Sequence, residues 1–190
     1  MKIAFIGSHG VGKTTLCYDL AARLKRQDRV VDLVAEVARS SPLPINRETT
    51  VAAQAWILHT QIAREIAAEA TSEIVICDRS VLDNYAYLVH QAGRQDAYDA
   101  LVREWLGSYS GLFKVPITAA PSFDGKRDVS ESFQHDIDAV IDTLAADLGV
   151  RCHALDASHR DGWVDAVLTA SGLPLHPPQI DLFPRADGGR

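Results

Sequence analysis

The sequence predicts an α/β fold: a parallel sheet of five strands with helices on both faces. Three observations predict it. Five short apolar runs alternate with helix-length segments along 190 residues, which is the pattern of repeated βαβ units. The first run, MKIAFI, leads directly into the glycine-rich stretch GSHGVGKTT at 7–15. The polar residues of chemical interest follow the apolar runs, at the strand ends where parallel sheets bind their ligands.

Lys2–Ile6 is the first predicted strand. The segment 14–27 then reads as a helix, with Leu16, Leu20, Ala21 and Leu24 on one face. VVDLV at 30–34 is the second strand and runs on to Glu36 and Arg39. Pro42 and Pro44 make 40–46 a loop. A long alanine-rich helix is predicted from Glu48 to about Ala70, with Ala52, Ala55, Trp56, Ile62, Ala63 and Ile66 as its apolar positions. EIVIC at 73–77 is the third strand and ends at Asp78. Helices follow at 83–92 and 97–106, and the fourth strand is 112–117. A loop at 118–128 precedes a helix at 130–148, whose Ile137, Val140, Ile141 and Leu144 face inward. The fifth strand is 150–155, and a closing helix at 162–171 is built around Trp163, Val164 and Val167. From Pro174 the chain is rich in Pro and Gly without periodicity, as in an irregular or disordered tail. The predicted organisation is one domain at 1–173, with a lid segment at about 118–135, and a tail at 174–190.

Composition narrows the function classes. Apolar residues at 47% and charged residues at 23% are ordinary for a globular chain. No apolar run approaches the length of a membrane span, and the N-terminus turns glycine-rich too soon for a signal peptide. Cys17, Cys77 and Cys152 are widely spaced and read as small hydrophobes in a reducing compartment, which places the expected location in the cytoplasm. The formal net charge of −6 does not favour a long nucleic acid as partner.

Gly7, Gly12, Lys13 and Thr14 satisfy the pattern G-x-x-x-x-G-K-[ST] in full. Such a loop curls its backbone N–H groups around phosphate oxygens and aims the positive end of the next helix at them. Gly7, Ser8, His9, Gly10, Val11, Gly12, Lys13, Thr14 and Thr15 therefore form the expected ATP site. Lys13 would reach the β- and γ-phosphates, and the Thr14 hydroxyl would ligate Mg²⁺.

Asp78 ends an apolar strand, where a carboxylate can hold Mg²⁺ together with Thr14; it also suits a helix cap, a role open to Ser80 or Asp83. Glu36 is the candidate general base, or else a solvated loop carboxylate. Arg39 and Arg79 are candidates to grip phosphate or acceptor groups, since a guanidinium presents a planar fork of donors; each also suits a surface ion pair. Lys126 and Arg127, in FDGKRD, suit a lid that swings over the triphosphate, or a solvated turn. Trp56, His59, Gln61, Tyr85 and Tyr87 suit either an acceptor pocket or the core.

With GSHGVGKTT, Glu36-x-x-Arg39, CDRS at 77–80 and DGKR at 124–127 in place, the chain resembles a P-loop kinase of the nucleoside and nucleotide kinase group. It most resembles small bacterial chains of the AAA-family ATPase or ATP-binding protein kind. These are similar to nicotinamide riboside kinases and, more distantly, to thymidylate and deoxynucleoside kinases. The resemblance covers roughly residues 1–170 and implies the P-loop NTPase fold with strand order 2-3-1-4-5. By position it implies Glu36 as base and Arg79 beside the acceptor, so the expected catalytic set is Lys13, Glu36, Asp78, Arg79 and Arg127. Glu36, Arg39 and Arg79 are the expected acceptor-binding set. Where many such kinases carry a second lid arginine, this chain offers Gln134 and His135 in SESFQHD. The expected activity is ATP- and Mg²⁺-dependent transfer of a phosphoryl group to a small, nucleoside-like acceptor, by a chain that is a possible homodimer. An NTP-hydrolysing regulatory switch and a polynucleotide 5′-hydroxyl kinase are the rival readings.

Overall fold

The structure, a computed structural model, describes residues 1–45, 48–121 and 130–177. Its five strands are β1 (Lys2–Ile6), β2 (Val31–Val34), β3 (Ile74–Asp78), β4 (Gly111–Lys114) and β5 (His153–Ala154). All neighbouring pairs are parallel, in the order β2-β3-β1-β4-β5. This is the P-loop NTPase arrangement that the sequence predicted. β1 and β3 are buried along their whole length, because helices cover both sheet faces and a strand so placed reads as a continuous apolar run.

Among the described residues, six α-helices accompany the sheet: α1 (Lys13–Lys25), α2 (Val51–Glu69), α3 (Val81–Ala92), α4 (Asp96–Leu106), α5 (Glu131–Asp147) and α6 (Trp163–Ala170). On one face Leu16, Leu20 and Leu24 of α1 and Val167 and Leu168 of α6 pack on Ile3 and Phe5. On the other, Leu82 and Tyr85 of α3, Val102 of α4 and Ile137 and Ile141 of α5 pack on Ala4, Ile6 and Val75. Burial of each such side chain stabilises the fold by about 1.5–3 kcal/mol.

Boundaries moved for local reasons. α2 starts at Val51, not Glu48, because the Thr50 hydroxyl caps it by accepting from Ala53 N at 3.1 Å. α3 starts two residues earlier than expected, at Val81, because Ser80 and Asp83 form a reciprocal capping box. β4 ends at Lys114, since Pro116 has no N–H for a ladder. The edge strand β5 keeps only the two residues that pair with Phe113 and Lys114. A short 3-10 helix at Val37–Ser40 follows β2, in a stretch where no element was expected.

The expected apolar face of α2 requires a correction. Ala52, Ala63 and Ile66 are exposed, and the buried face carries Gln54, Gln61 and Glu65 among Ala53, Ile57, Leu58 and Ala68. Buried polar groups are tolerated where each finds a partner. Gln54 finds Thr49 nearby and Gln61 finds Glu65 one turn on, whereas Glu65 draws on Lys2, Trp105 and Tyr109 from distant parts of the chain.

Residues 174–177 run along α1, where the Pro174 and Leu175 carbonyls accept from Gln27 and Arg23 at 3.0 and 3.1 Å. The rest of the tail, 178–190, and the centre of the predicted lid, 122–129, lie outside the described residues. Among the described residues, no helix is long and apolar enough to cross a membrane.

Candidate active site

Register alone assembles the site. Phe5 pairs with Asp78 and Ile6 with Lys114, so the loop after β1 and the segment after β3 leave the sheet at the same level. Gly7 takes φ +136, and a Cβ there would meet the Val115 carbonyl at 2.8 Å. Gly12 caps α1 in the left-handed conformation, φ +95. Both positions demand glycine on steric grounds.

Lys13 is buried at the N-terminus of α1, and its ammonium donates to the Gly7 and Ser8 carbonyls at 2.8 and 2.5 Å. Burial, with the Arg79 charge adding to it, lowers its pKa to about 8 against the pull of Asp83, Asp78 and Glu36. The Thr14 hydroxyl donates to Asp78 Oδ2 at 2.5 Å. This couples a hydroxyl and a carboxylate oxygen, the hard oxygen donors that Mg²⁺ takes when substrate phosphates and water complete its shell. Burial raises the Asp78 pKa, against the pull of Lys13. The residues present thus fit the ion, and no group of three or more carboxylate, His or Cys side chains forms a dedicated cage among the described residues.

Glu36 precedes the 3-10 turn anchored by buried Val37. Its Oε1 accepts from Arg79 Nε and its Oε2 from Arg39 Nε, each at 2.8 Å. Burial would raise its pKa, but the charges of Arg79 and Lys13 and the two guanidinium hydrogen bonds bring it to about 2. Arg79 is buried, with its guanidinium 5.1 Å from the centre of the Tyr87 ring. Burial disfavours its charge, yet Tyr87 and three carboxylates raise its pKa well above the ordinary value. Arg79 adopts φ +90, a conformation that costs a non-glycine residue about 1–3 kcal/mol.

Asp83 was expected only as a possible cap and does more. Its Oδ2 accepts from the Ser80 amide and hydroxyl at 3.0 and 2.9 Å, while its Oδ1 accepts from Gly7 N at 2.8 Å. One buried carboxylate therefore ties α3 to the start of the glycine loop. The cap role offered to Asp78 falls to Ser80, which leaves the Asp78 carboxylate facing Thr14.

His9–Thr15, Glu36, Arg39, Asp78 and Arg79 line one cavity of about 200 Å³. The predicted phosphate-loop residues from His9 on and the predicted metal and acceptor residues thus share one space, while Gly7 and Ser8 are not among its lining residues. Its formal charge is +1 at pH 7, from Lys13, Arg39 and Arg79 against Glu36 and Asp78, on a chain of net charge −6. Ile45 and Ile57 give it an apolar wall. Arg79 Nη1 and Asn84 Nδ2 are buried there without hydrogen-bond partners among the described residues. Arg127 and Lys126 lie outside the described residues.

Sequence reasoning missed Gln54, Asn84 and Arg160. Gln54 and Asn84 line the cavity from α2 and α3. Trp56 and His59, weighed for that role, do not line it, and Gln61 is buried beneath it, on the Arg79 carbonyl at 3.3 Å. Tyr87 lines the cavity, and Tyr85 is core. Arg160 belongs to a second cavity beside Gly12, Thr15 and Trp163. Its guanidinium is 5.6 Å from the Trp163 ring centre. The spacing of Ser80 and Asp83 was the available signal for the capping box; none marked the other three.

Comparison with known proteins agrees with this fold. A protein-family model described as "AAA domain" matches residues 2–161. No curated protein sequence matches the chain significantly. Among solved structures, a thymidylate kinase from Ehrlichia chaffeensis is 19% identical, with a TM-score of 0.64 over 88% of this chain and 98% of that one. A deoxyadenosine kinase from M. mycoides, with the products dCMP and dCDP bound, is 14% identical with a TM-score of 0.60, over 89% and 97% of the two chains. The NadR protein in complex with NAD and AMP-PNP is 20% identical with a TM-score of 0.66, over 94% of this chain but 51% of that one.

Proposed function

The chain belongs to the AAA domain family, and from that premise we propose that it is an ATP- and Mg²⁺-dependent phosphotransferase whose acceptor is a small nucleoside or nucleotide. One observation carries the reading: the glycine loop, the Thr14–Asp78 pair and the Glu36–Arg79 pair open into the same cavity. The fold shared with thymidylate and deoxyadenosine kinases supports it.

The glycine loop and Lys13 bind the triphosphate. Thr14 and Asp78 would hold Mg²⁺, which would supply neutralisation of phosphate charge. The acceptor lies against Ile45 and Ile57, within reach of the unpaired donors of Arg79 and Asn84. Arg160 and Trp163, beside Gly12, form a site for the base of the donor nucleotide. In the transfer, the acceptor oxygen bonds to the γ-phosphorus as the bond to the β,γ-bridging oxygen breaks and ADP leaves. Held near pKa 2, Glu36 is a weak base. It orients an acceptor hydroxyl from the start and takes the proton late, once bonding to phosphorus has made that hydroxyl acidic. Catalysis is mostly positioning and electrostatic stabilisation.

Incubation with ATP, Mg²⁺ and a panel of nucleosides and nucleotides tests this, with ADP and phosphorylated product as the readout. Acceptor-dependent ADP formation is expected. ADP formation that ignores every acceptor supports a regulatory switch, transfer only to oligonucleotides supports a polynucleotide kinase, and no nucleotide uptake in calorimetry removes the reading altogether.

A further inference from the structure

Beneath the site, on the far side of the Arg79 turn, lies a polar network that the chemistry above does not use. Its centre is Glu65 on α2, fully buried. Glu65 Oε2 receives Lys2 Nζ at 3.0 Å and Trp105 Nε1 at 2.7 Å; Oε1 receives Tyr109 OH at 2.7 Å and Gln61 Nε2 at 2.8 Å. Four donors saturate the carboxylate, and the Lys2 ammonium also lies over the Trp105 and Tyr109 rings, at 4.6 and 4.8 Å from their centres.

Two of the four donors reach further. Gln61 Nε2 also donates to the Arg79 carbonyl at 3.3 Å, and the Tyr109 hydroxyl accepts from Val81 N at 3.1 Å. A tyrosine hydroxyl has one proton. Because that proton goes to Glu65, a lone pair is presented to Val81. Burial beside Glu65 keeps the phenol protonated. The third backbone tether of the turn is Arg79 N to the Phe5 carbonyl at 3.2 Å. These contacts hold the segment in which Arg79 sits at φ +90, and that backbone sends the guanidinium to Glu36.

We propose that Glu65, acting through Gln61 and Tyr109, is a positioning residue that keeps Arg79 in its strained conformation and so holds the Arg79–Glu36 pair in the acceptor site. Its catalytic consequence rests on the phosphotransferase reading; its structural consequence does not. Asp83 also pins Ser80 in the same turn, so loss of one brace weakens the arrangement without abolishing it.

The test compares three variants. Tyr109→Phe and Gln61→Leu each remove a donor to Glu65 and a contact to the Arg79 turn. Trp105→Phe removes a donor to the same carboxylate but, among the described residues, no hydrogen bond to that turn, so it reports the merely structural cost. All three are expected to lower Tm. Tyr109→Phe and Gln61→Leu should lower kcat for acceptor phosphorylation about tenfold with KM for ATP unchanged, while Trp105→Phe keeps the kcat of the unaltered protein. Equal kcat in all three variants overturns the proposal, and Gln61→Leu decides alone should Tyr109→Phe not fold. If the unaltered protein phosphorylates no acceptor, the functional reading fails separately. The brace is then judged from a crystal structure of either variant: Arg79 relaxed to negative φ and away from Glu36 supports it, and Arg79 unmoved refutes it.

Discussion

Lys13 gives the sharpest quantitative test, because burial of its ammonium carries a pH-dependent cost. Its pKa is about 8 in the fold against an ordinary 10.5. The unfolded chain therefore holds this proton up to about pH 10.5, while the folded chain releases it near pH 8. The gap corresponds to about 3 kcal/mol of destabilisation at pH 7, and stability rises with pH between those two values. Between pH 7 and pH 9 the ligand-free protein should recover about 1 kcal/mol from this residue, which is about 2–4 °C in Tm for a chain of this size. Other groups titrate in the same window, so the measurement is a difference: thermal unfolding of the unaltered protein and of Lys13→Met at both pH values. The unaltered protein should gain about 2–4 °C relative to the variant. A triphosphate favours the charged ammonium, so nucleotide binding near pH 8.5 should take up a proton. Calorimetry in buffers of different ionisation enthalpy reads that uptake. Parallel stability curves for the two proteins, together with no proton uptake, would refute the reasoning.

Three further expectations follow from the same geometry. Glu36→Gln should lower kcat by about 10²–10⁴-fold, the usual contribution of a placed acid or base; and since the Glu36 pKa is about 2, the unaltered enzyme should show no acid limb from this carboxylate above about pH 4 in a pH–rate profile. Asp78→Asn should raise the Mg²⁺ concentration needed for half-maximal rate at least tenfold in a metal titration, with metal-free nucleotide binding retained; an unchanged titration removes Asp78 from the metal site. Ser80→Ala deletes a buried cap and should cost about 1–2 kcal/mol in urea unfolding, whereas a loss of less than about 0.5 kcal/mol, the range of an ordinary surface substitution, would mean that Asp83 holds the turn alone.

What was legible in the sequence was local or repeated. GSHGVGKTT carries its chemistry in consecutive residues, and βαβ repetition brings strand ends together whatever the intervening helices contain. Glu36, Asp78 and Arg79 could therefore be assigned to one cleft before any coordinates. The face of α2 could not. Its hydrophobic period suggested Ala52, Ala63 and Ile66, yet Gln54, Gln61 and Glu65 are the buried positions. A polar residue can occupy the core only if its partners are there too, and those of Glu65 are Lys2, Trp105 and Tyr109. Nothing near residue 65 announces a lysine at the start of the chain or two aromatics some forty residues later. Asn84 was illegible for a related reason: α3 is buried on most sides, and the sequence does not say which polar residue faces a cavity.

The charged groups of the site have partners within the protein, and this constrains how a nucleotide enters. Lys13 rests on two carbonyls of its own loop, Thr14 on Asp78, and Glu36 between two arginines. An incoming triphosphate must offer Lys13 a stronger partner than those carbonyls, and a doubly charged phosphate does so at hydrogen-bond range. The Glu36–Arg79 pair need not open at all. Arg79 spends Nε on Glu36, and its Nη1, 4.0 Å from Asp83, and the Asn84 amide nitrogen make no hydrogen bond among the described residues, so both can donate to an acceptor while the Glu36 carboxylate stays fixed. A buried donor without a partner is costly, and a backbone at φ +90 adds to that cost. Both costs fall on Arg79, and a substrate that accepts from Nη1 would relieve the first of them.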